Sequence, residues 1–474
     1  MNSMVGAEWP ENWKILGEHG LRSGRYTDPA FARLEFERLW SRVWQAAMRL
    51  DAIPNVGDHA TYEIGNQSVL VVRAEEDTVK AYHNACPHRG TALSDGCGHF
   101  KDGKIICPFH GWRWDLAGRN EFVLERHEFR GGNLKDSDVA LREVHSEVFA
   151  GFVFINFAAE PEPFDEFIAP VRDLLEGMAI EHMRHYWWKE IAAPSNWKVA
   201  QEAFLETYHV PATHPQLEVD AAKVIYEGKP IEEVSFTHDA VAYEPFPNGH
   251  GRFFAGRKKT HMQGETKAQE GQADMDPVDL LADRLSLLVE GMDAQVLPED
   301  VEVVRSLKGK PIPEGSNLGA EYTKALYARA AAQNRPMPKM DPEIIGMWGG
   351  EVFIFPNLLI LPQGGNAMIY RVRPHRTDPN QSIFEIMSTT TRPADFEVPR
   401  AIVEKVSDLE DPEQVRLIPR QDLGNLKRMQ KGLNTYGCPQ IWLADYHEQL
   451  IMNMHKELDR YLQTPVKEPV RKPT

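Results

Sequence analysis

The chain reads CPHRG at residues 86–90 and CPFHGW at residues 107–112. Each of these short stretches offers one cysteine sulfur and one histidine nitrogen, set among proline and glycine. Structural zinc sites usually take two cysteines from a single loop. One sulfur and one nitrogen from each of two loops instead suits a [2Fe–2S] cluster in which two cysteines hold one iron and two histidines hold the other. The spacing therefore favours an iron–sulfur cluster, with a structural zinc site as the alternative.

Composition narrows the function classes. The 474 residues, 42% hydrophobic and 26% charged, allow two or three domains. The formal net charge of −17 argues against a nucleic-acid or anionic-membrane partner, because phosphate binding needs a basic face. The N-terminal residues lack the basic and apolar regions of a signal peptide, and no apolar run approaches the ~20 residues that span a bilayer. With only four cysteines, we expect a cytoplasmic, thiol-reduced protein.

Hydrophobic periodicity divides the chain into three parts. Apolar residues at helical spacing predict a helix over 29–50. We assign residues 1–44 to an N-terminal helical part of the catalytic domain. A β-rich domain over 45–160 follows, because short strands alternate with turn residues and the Pro/Glu-rich stretch 160–167 ends the pattern. Its first predicted strands are HATYEI (59–64), SVLVVRA (68–74) and TVKAYH (78–83).

The remainder, residues 161–474, has a mixed pattern. It predicts helices over about 196–210, 422–434 and 440–463, and strands at GEVFIFPNLLIL (350–361), NAMIYRVRP (366–374) and SIFEIMSTTT (382–391). The stretch 246–345 is charged and punctuated by glycine and proline, with one amphipathic helix beginning at Asp276-Pro277.

A second candidate site lies in NWKVAQEAFLETYHVPATH, residues 196–214. Glu202, Glu206 and His209 are spaced to share one helix face. Pro211 does not fit inside a regular helix, so it forces a turn that can bring His214 beside His209. Two histidines and a carboxylate from elsewhere make the facial triad of non-haem Fe(II), which leaves positions open for O₂. The H-x₄-H spacing alone is a weak signal, because a single histidine is more often an ordinary core or surface residue.

Together these motifs resemble the Rieske non-haem iron aromatic-ring-hydroxylating oxygenases, large (alpha) subunit. The pair C-P-H-R-G and C-P-F-H-G-W resembles the family's Rieske centre, which implies Cys86 and Cys107 on one iron and His88 and His110 on the other. Respiratory Rieske proteins carry an additional disulfide, whereas this chain has Thr91 and Phe109 near those positions and so resembles the low-potential type. Cys97, between the loops, is interpreted as a bystander thiol.

The same resemblance implies the ligands of a mononuclear iron. The stretch N-W-K…E-x-x-Y-H-x₄-H is similar to the family's iron-site segment, so His209 and His214 are the implied histidine ligands. The third ligand is implied to be Asp422, because QDLGNLKRMQKGL resembles the family's downstream helix. A helix N-cap is the alternative role for Asp422. Glu206 is the implied electron-transfer bridge, hydrogen-bonded to His209 of its own subunit and to His110 of the next.

The implied fold class is α+β: a β-rich Rieske domain inserted into a helix-grip, START-like catalytic domain with an antiparallel sheet and a long C-terminal helix. Part of 246–345 is expected to cover the substrate channel or to contact another subunit, with a surface insertion as the alternative.

The implied activity is that of a terminal oxygenase, which hydroxylates a hydrophobic, aromatic substrate with O₂, as in aromatic hydrocarbon catabolism. The alternative is a Rieske monooxygenase or oxidative demethylase of an amine or ether. The chain lacks a G-x-G-x-x-G motif after a strand, so a separate reductase or ferredoxin is expected to supply electrons to a homotrimer or an assembly with a beta subunit. A pure electron-transfer protein and a zinc-stabilised binding module are the competing function classes.

Overall fold

The computed structural model describes residues 9–218, 224–228, 240–256, 275–393, 395–397 and 399–464. Two compact units share this chain. The first comprises the chain up to Arg33, Ile168–Phe396 and the stretch from Val403 to Thr464. The second, which we call the β-rich unit, comprises Leu34–Phe167 with the short segment Glu397–Ile402. In sequence, the β-rich unit is therefore inserted into the first.

The β-rich unit is built on a seven-stranded antiparallel sheet with the order β3-β12-β11-β6-β5-β4-β7. A three-stranded sheet with the order β10-β9-β8 accompanies it. The three strands predicted from 59–83 are confirmed, because β4, β5 and β6 lie there as an antiparallel meander. The strand bounds are β3 Gln45–Arg49, β4 Asp58–Ile64, β5 Gln67–Glu75, β6 Thr78–His83, β7 Cys97–His99, β8 Lys104–Ile106, β9 Arg113–Asp115, β10 Asn120–Phe122, β11 Glu143–Phe149 and β12 Phe152–Asn156.

The helix predicted over 29–50 is only partly correct. Helix α2 covers Pro29–Glu35 and a π-helical turn continues over Phe36–Trp40, but Gln45–Arg49 is strand β3. All five residues of β3 are buried, since the strand pairs with β12 inside the sheet. A short apolar run fits a buried strand as well as a helix, and its pairing partner lies about a hundred residues downstream.

The larger unit is built on an eight-stranded sheet with the order β14-β15-β16-β17-β18-β19-β13-β20. Its pairings are antiparallel except the last, between β13 and the two-residue β20. The strands predicted at 366–374 and 382–391 are confirmed residue for residue, whereas 350–361 is divided by a turn into β16 and β17. The strand bounds are β13 Met183–Ala193, β14 Val241–Pro245, β15 Gly251–Ala255, β16 Glu351–Ile354, β17 Leu358–Gln363, β18 Asn366–Pro374, β19 Ser382–Thr391 and β20 Glu404–Lys405. A small sheet of β1 Ile15–Leu16, β2 Gly20–Arg22 and β21 Gln440–Trp442 lies in the same unit.

The two faces of the eight-stranded sheet carry different kinds of buried side chains. Along β18, Tyr370 and Val372 point to one side and Arg371 and Arg373 to the other, because side chains alternate along a strand. Arg371 lies opposite Glu385 of β19 and donates to it from Nε and Nη2, at 2.5 and 2.6 Å. One face is therefore aromatic and apolar at its centre, and the other carries a buried ion pair.

Helices cover the aromatic face. The C-terminal helix α12, Gln449–Gln463, begins later than the predicted start near 440, because Gln440–Trp442 pairs with β2 as a strand. A Cβ atom added at Gly251 of β15 would meet the Leu450 side chain at 2.7 Å, so the glycine lets α12 approach the sheet. The other described helices are α1 Gly24–Thr27, α3 Phe164–Ile168, α4 Arg172–Gly177, α5 Trp197–Glu202, α6 Val210–Thr213, α7 Pro277–Met292, α8 Pro298–Arg305, α9 Leu318–Ala332, α10 Pro342–Gly346 and α11 Leu417–Leu433.

Most of the described part of 246–345 is helical and has its own core. The predicted helix start is confirmed, since the Asp276 side chain caps α7 by accepting from the Val278 N–H at 2.8 Å. Apolar residues of α7, α8 and α9 pack together in one cluster that includes Leu285, Val304 and Leu326. Residues 257–274 lie outside the described part of the chain. A covering or subunit-contact role for 246–345 stays a prediction.

These two units together form the α+β fold expected from the sequence, with helices packed on largely antiparallel sheets. Within the described residues, no helix has both the length and the apolar character needed to cross a bilayer.

Two candidate metal centres

The two Cys/His loops of the β-rich unit fold alike. In each loop the cysteine N–H donates to a carbonyl five residues on, and the cysteine carbonyl accepts from the N–H of a glycine four residues on, over distances of 2.8–3.0 Å. The two glycines, Gly90 and Gly111, have φ of +77° and +71°, which glycine adopts freely. The repeated Gly therefore closes each loop tightly around its Cys/His pair.

This folding brings the four predicted cluster residues together. Cys86 and Cys107 are 3% and 2% exposed and form part of the unit's apolar core, with their thiols close to each other. Nδ1 of His88 lies 3.1 Å from Nδ1 of His110, and both rings are half-buried. The His88 ring also stacks on Trp112, with centroids 4.7 Å apart and planes 10° from parallel. The sulfurs thus lie inside the unit while the imidazoles lie near its surface.

The donor set fits a [2Fe–2S] cluster. Two thiols lie side by side, and two imidazole nitrogens face each other, as a cluster with one Cys₂ iron and one His₂ iron requires. Burial raises the pKa of the Cys86 thiol to about 11, whereas the N–H groups of His88 and Arg89 donate towards this sulfur and lower it. Iron binds the thiolate, so these backbone N–H groups stabilise the form that acts as a ligand.

The second candidate centre lies in the larger unit, between helices α5, α6 and α11. The prediction of one helix over 196–210 is wrong: α5 ends at Glu202, and Pro211 lies in the first turn of the new helix α6. Proline is tolerated there because that N–H has no partner within a helix. His209 is the N-cap and His214 the C-cap of α6, so this one short helix holds both imidazoles.

Asp422 completes the constellation. One ligand atom from each of His209, His214 and Asp422 lies within 4.8 Å of the others. Asp422 Oδ1 is 3.0 Å from Nε2 of His214 and 3.7 Å from Nε2 of His209. His214 and Asp422 are buried, while the His209 side chain is 25% exposed. Two imidazoles and a carboxylate converging on one point fit a non-haem Fe(II) site.

Asp422 is not the N-cap of its helix. The sequence predicted a helix near 422, but α11 begins at Leu417 with Arg416 as its N-cap, so Asp422 lies in the second turn. Its carboxylate is therefore free of a capping role and points to the two imidazoles. Gln430, two turns further on, holds the start of α5 by accepting from the Asn196 N–H at 2.7 Å.

Glu206 orients His209. Glu206 Oε1 lies 2.7 Å from Nδ1 of His209, and Oε2 accepts from the His209 backbone N–H at 2.9 Å. Burial alone lowers the pKa of His209, but the charge and hydrogen bond of Glu206, together with Asp422, raise it to about 9. Glu202, placed on the same helix face by the sequence, belongs to a different network, where it contacts Tyr26 and His455.

A glutamine that the sequence reading missed orients the other histidine. Nδ1 of His214 lies 2.9 Å from Oε1 of Gln421, which also accepts from Nε2 of Gln216 at 2.8 Å. Because an amide oxygen only accepts, the Nδ1 of His214 carries the proton and Nε2 is left for a metal. In the sequence, only the position of Gln421 directly before Asp422 pointed to such a role.

Two family models match this chain. The one described as "Ring hydroxylating alpha subunit (catalytic domain)" matches residues 180–464, and the one described as "Rieske [2Fe-2S] domain" matches residues 43–127. These matches imply a [2Fe–2S] cluster and a mononuclear iron as cofactors.

This chain spans about half the length of the curated relatives that it matches. The glycine betaine monooxygenase oxygenase subunit of Chromohalobacter salexigens is 30% identical over 201 residues, which are 42% of this chain and 44% of that protein. The carnitine monooxygenase oxygenase subunit of Escherichia coli (strain K12) is 31% identical over 199 residues, 40% of this chain and 50% of that protein.

Solved structures match almost the whole chain. A structure of naphthalene 1,2-dioxygenase with indole bound in the active site covers 98% of this chain and 94% of its own, with a TM-score of 0.65 and 16% identity. At that identity, the likeness shows a shared fold.

Proposed function

This chain belongs to the ring-hydroxylating oxygenase alpha subunits, the Rieske non-haem iron oxygenases, and from this we propose that it is the terminal oxygenase component of an electron-transfer system. Its proposed reaction is the O₂-dependent hydroxylation of a small organic substrate.

The convergence of His209, His214 and Asp422 carries this proposal. A protein that only relayed electrons through the two Cys/His loops would have no use for a second buried donor set in its other unit. A zinc-stabilised binding module would have no use for it either. Both a cluster site and a facial triad in one chain are what an oxygenase needs.

The proposed cluster ligands are Cys86, His88, Cys107 and His110, and the proposed ligands of the mononuclear iron are His209, His214 and Asp422. When bound, the cluster supplies electrons singly and the mononuclear Fe(II) activates O₂.

The protein's own contribution is orientation. Glu206 and Gln421 each hold the Nδ1–H of one histidine, so that Nε2 of both rings is available as the donor atom. We propose that Glu206 also accepts a hydrogen bond from His110 of a neighbouring subunit, in a homotrimer or an assembly with a beta subunit. A carboxylate shared by two imidazoles would fix both rings and couple the two centres. A separate reductase or ferredoxin is the proposed electron donor.

Two substrate classes are proposed. A hydrophobic, aromatic compound would suit the aromatic face of the eight-stranded sheet, where Phe204, Tyr370 and Phe384 contact one another. An amine or ether that undergoes monooxygenation and demethylation is the second candidate, favoured by the relatives named for glycine betaine and carnitine.

Spectroscopy and a single turnover test the proposal. The purified protein should be coloured and contain acid-labile sulfide and more iron than the cluster alone accounts for. With its cluster chemically reduced, it should incorporate ¹⁸O from ¹⁸O₂ into a product detected by mass spectrometry. A colourless protein, or a coloured one whose cluster is not reoxidised by O₂ with any substrate of either class, would contradict it.

A further inference from the structure

Glu351 is a buried carboxylate for which the described part of the chain provides no hydrogen-bond or ion-pair partner. It is the first residue of β16 and is 1% exposed, yet its Oε1 forms no hydrogen bond within the described part of the chain. No Lys, Arg or His among the described residues forms an ion pair with it. Burying an unpaired carboxylate is costly, so its retention at this position calls for an explanation.

The sheet register places Glu351 on the face that looks towards the mononuclear centre. Tyr243, Phe253 and Glu351 lie opposite one another on three neighbouring strands, so their side chains share a face. At the Tyr243 end of this row, the phenol oxygen lies 2.8 Å from Oγ1 of Thr207, next to Glu206 in sequence.

The register continues in the other direction. Phe353, two residues after Glu351 on the same strand, lies opposite Leu359, which in turn lies opposite Tyr370. Tyr370 therefore shares the face of Glu351. Its ring packs on that of Phe204, with centroids 4.3 Å apart, and Phe204 lies two residues after the end of α5. Glu351 thus lies on the inner wall of the proposed active site.

Burial and neighbouring negative charges raise the pKa values of two groups on this wall. Burial first, and then the negative charge of Glu206, raise the pKa of Glu351 well above its ordinary value. Burial and the charges of Asp422 and Glu351 raise the pKa of Tyr370 in the same way. Neighbouring negative charge thus contributes to both shifts, and a positively charged ligand beside Glu351 would favour its ionised form.

The other groups on this wall suit an organic cation. On one side of Glu351, the Phe253 ring lies opposite it and the Tyr243 ring follows, with the two centroids 5.9 Å apart. The Tyr370 ring lies on the same face two strands away, in the neighbouring row of Phe353 and Leu359. Aromatic faces attract ammonium groups, most strongly where water is excluded. Across from the sheet, Gln201 is fully buried on α5, and its side-chain amide has no hydrogen-bond partner among the described residues.

We propose that Glu351 is a substrate-recognition residue that pairs with the positively charged nitrogen of a quaternary ammonium ion or protonated amine. This inference rests on the proposed function, because it assigns the substrate class of the same active site. It favours the amine over the aromatic hydrocarbon, since an uncharged hydrocarbon would leave the carboxylate buried and unpaired.

Calorimetric titration with a charged probe and its neutral isostere tests the assignment. Choline and 3,3-dimethylbutan-1-ol have the same shape but differ by one positive charge, and both are titrated anaerobically into the iron-loaded protein. The parent should bind choline more tightly than the alcohol. Glu351→Gln should weaken choline binding by about 30-fold or more, since it removes one partner of a buried charge pair. Binding of the alcohol should change less than about threefold.

Glu448→Gln is the matched control. Glu448 is half-buried, and burial and the charge of Glu206 raise its pKa, but its Oε2 already accepts a hydrogen bond from the Ala444 N–H. Choline should bind this variant nearly as well as the parent. The assignment is overturned if choline does not bind the parent, if Glu351→Gln weakens both probes alike, or if Glu448→Gln is equally damaging.

Two further measurements separate the possible failures. Thermal unfolding should show that Glu351→Gln is at least as stable as the parent, because the amide resembles the neutral carboxylic acid that burial favours in the ligand-free protein. A marked loss of stability would reveal a structural partner and overturn the assignment. Iron and sulfide content tests the proposed function independently. A protein that lacks either metal centre but binds choline through Glu351 would refute the oxygenase proposal while retaining the cation site.

Discussion

At His209, a proton and a metal ion compete for the same imidazole. In the metal-free protein, Glu206 and Asp422 hold the pKa of His209 at about 9, so the ring is protonated at neutral pH. A raised pKa stabilises the metal-free fold fully below the unfolded value of 6.5, and this contribution is lost as the pH rises through about 9. Metal binding requires the neutral ring.

Fe(II) uptake by the metal-free protein should therefore release about one proton from His209 at pH 7.5. Calorimetry in buffers of different ionisation enthalpy measures this number, and the apparent affinity should rise with pH until about 9. Glu206→Gln should reduce the proton release, since it removes the charge that holds the proton. A release unchanged by that substitution would show that Glu206 does not control the protonation of His209.

Glu206→Gln should leave both centres loaded but slow electron transfer between them. Gln keeps the size and one acceptor oxygen of Glu but loses the charge that favours a bonded imidazole N–H. We expect cluster reoxidation in a single turnover to slow by about 10–100-fold. Glu202→Gln, a carboxylate that instead contacts Tyr26 and His455, should react like the parent. Parent-like reoxidation in Glu206→Gln would show that Glu206 has only a structural role in the connection between α5 and α6.

Gln421→Leu should weaken iron binding without touching a proposed ligand. The change leaves Nδ1 of His214 without its acceptor, so the ring loses its fixed tautomer and orientation. We expect the Fe(II) affinity of the mononuclear site to fall by about 10–100-fold, measured by titration of the metal-free protein. The cluster spectrum serves as the control and should be unchanged. Equal Fe(II) affinity in the variant and the parent would contradict a positioning role.

At the scale of single residues, the sequence predicted the metal-donor residues better than the residues that orient them or line the site. Cys86, His88, Cys107 and His110 stand in a local pattern, and the structure brings them together. Gln421 and Glu351 could not be found in this way. Their roles depend on tertiary neighbours. Gln421 contacts an imidazole from a segment about two hundred residues away, and Glu351 is distinctive because no described residue pairs with its buried Oε1.

At the scale of elements, the strand pair β18–β19 depends on its buried ion pair. Burial raises the pKa of Glu385, but Arg371 and Arg373 outweigh it and lower the pKa overall. Glu385→Gln removes the counter-charge of Arg371, whereas Arg373 keeps its ion pair with Glu190 at 3.1 Å, and we expect a cost of about 3–5 kcal/mol in unfolding free energy. Urea unfolding measures it, with Glu404→Gln on the exposed strand β20 as the control. A difference of less than about 1 kcal/mol would mean that water solvates the arginines.

Elements with a strong local period were predicted well, and those fixed by distant partners were not. β18 and β19 follow from uninterrupted runs of strand-forming residues bounded by turn residues. The strands β3 and β21 were assigned to helices, because their apolar residues fit both periods and only pairing with β12 and β2 decides between them. The short α6 was misjudged because proline ends one helix and begins another with equal ease.

At the scale of the whole molecule, the proposed homotrimer makes a prediction about mixed assemblies. Cys86→Ser chains should lack the cluster, and His209→Ala chains should lack the mononuclear iron, so neither should turn over alone. If electrons cross from one subunit to the next, co-expressed mixed oligomers should regain activity, because an intact cluster then faces an intact iron. Oxygen consumption by the purified mixture measures this. No recovery in proven mixed oligomers would show that both centres must reside in one chain.

The burial of the two sulfur atoms constrains the maturation of this protein. Cys86 and Cys107 belong to the same apolar cluster as Trp114 and Tyr82, so a closed core shields them from any carrier that delivers iron and sulfide. Cluster insertion must then accompany folding during biogenesis, and a lost cluster could be replaced only after that core reopens. The mononuclear centre differs, because the His209 side chain is 25% exposed. Its iron can be exchanged in the folded protein, so ageing preparations should be reactivated by added Fe(II) for as long as their colour lasts.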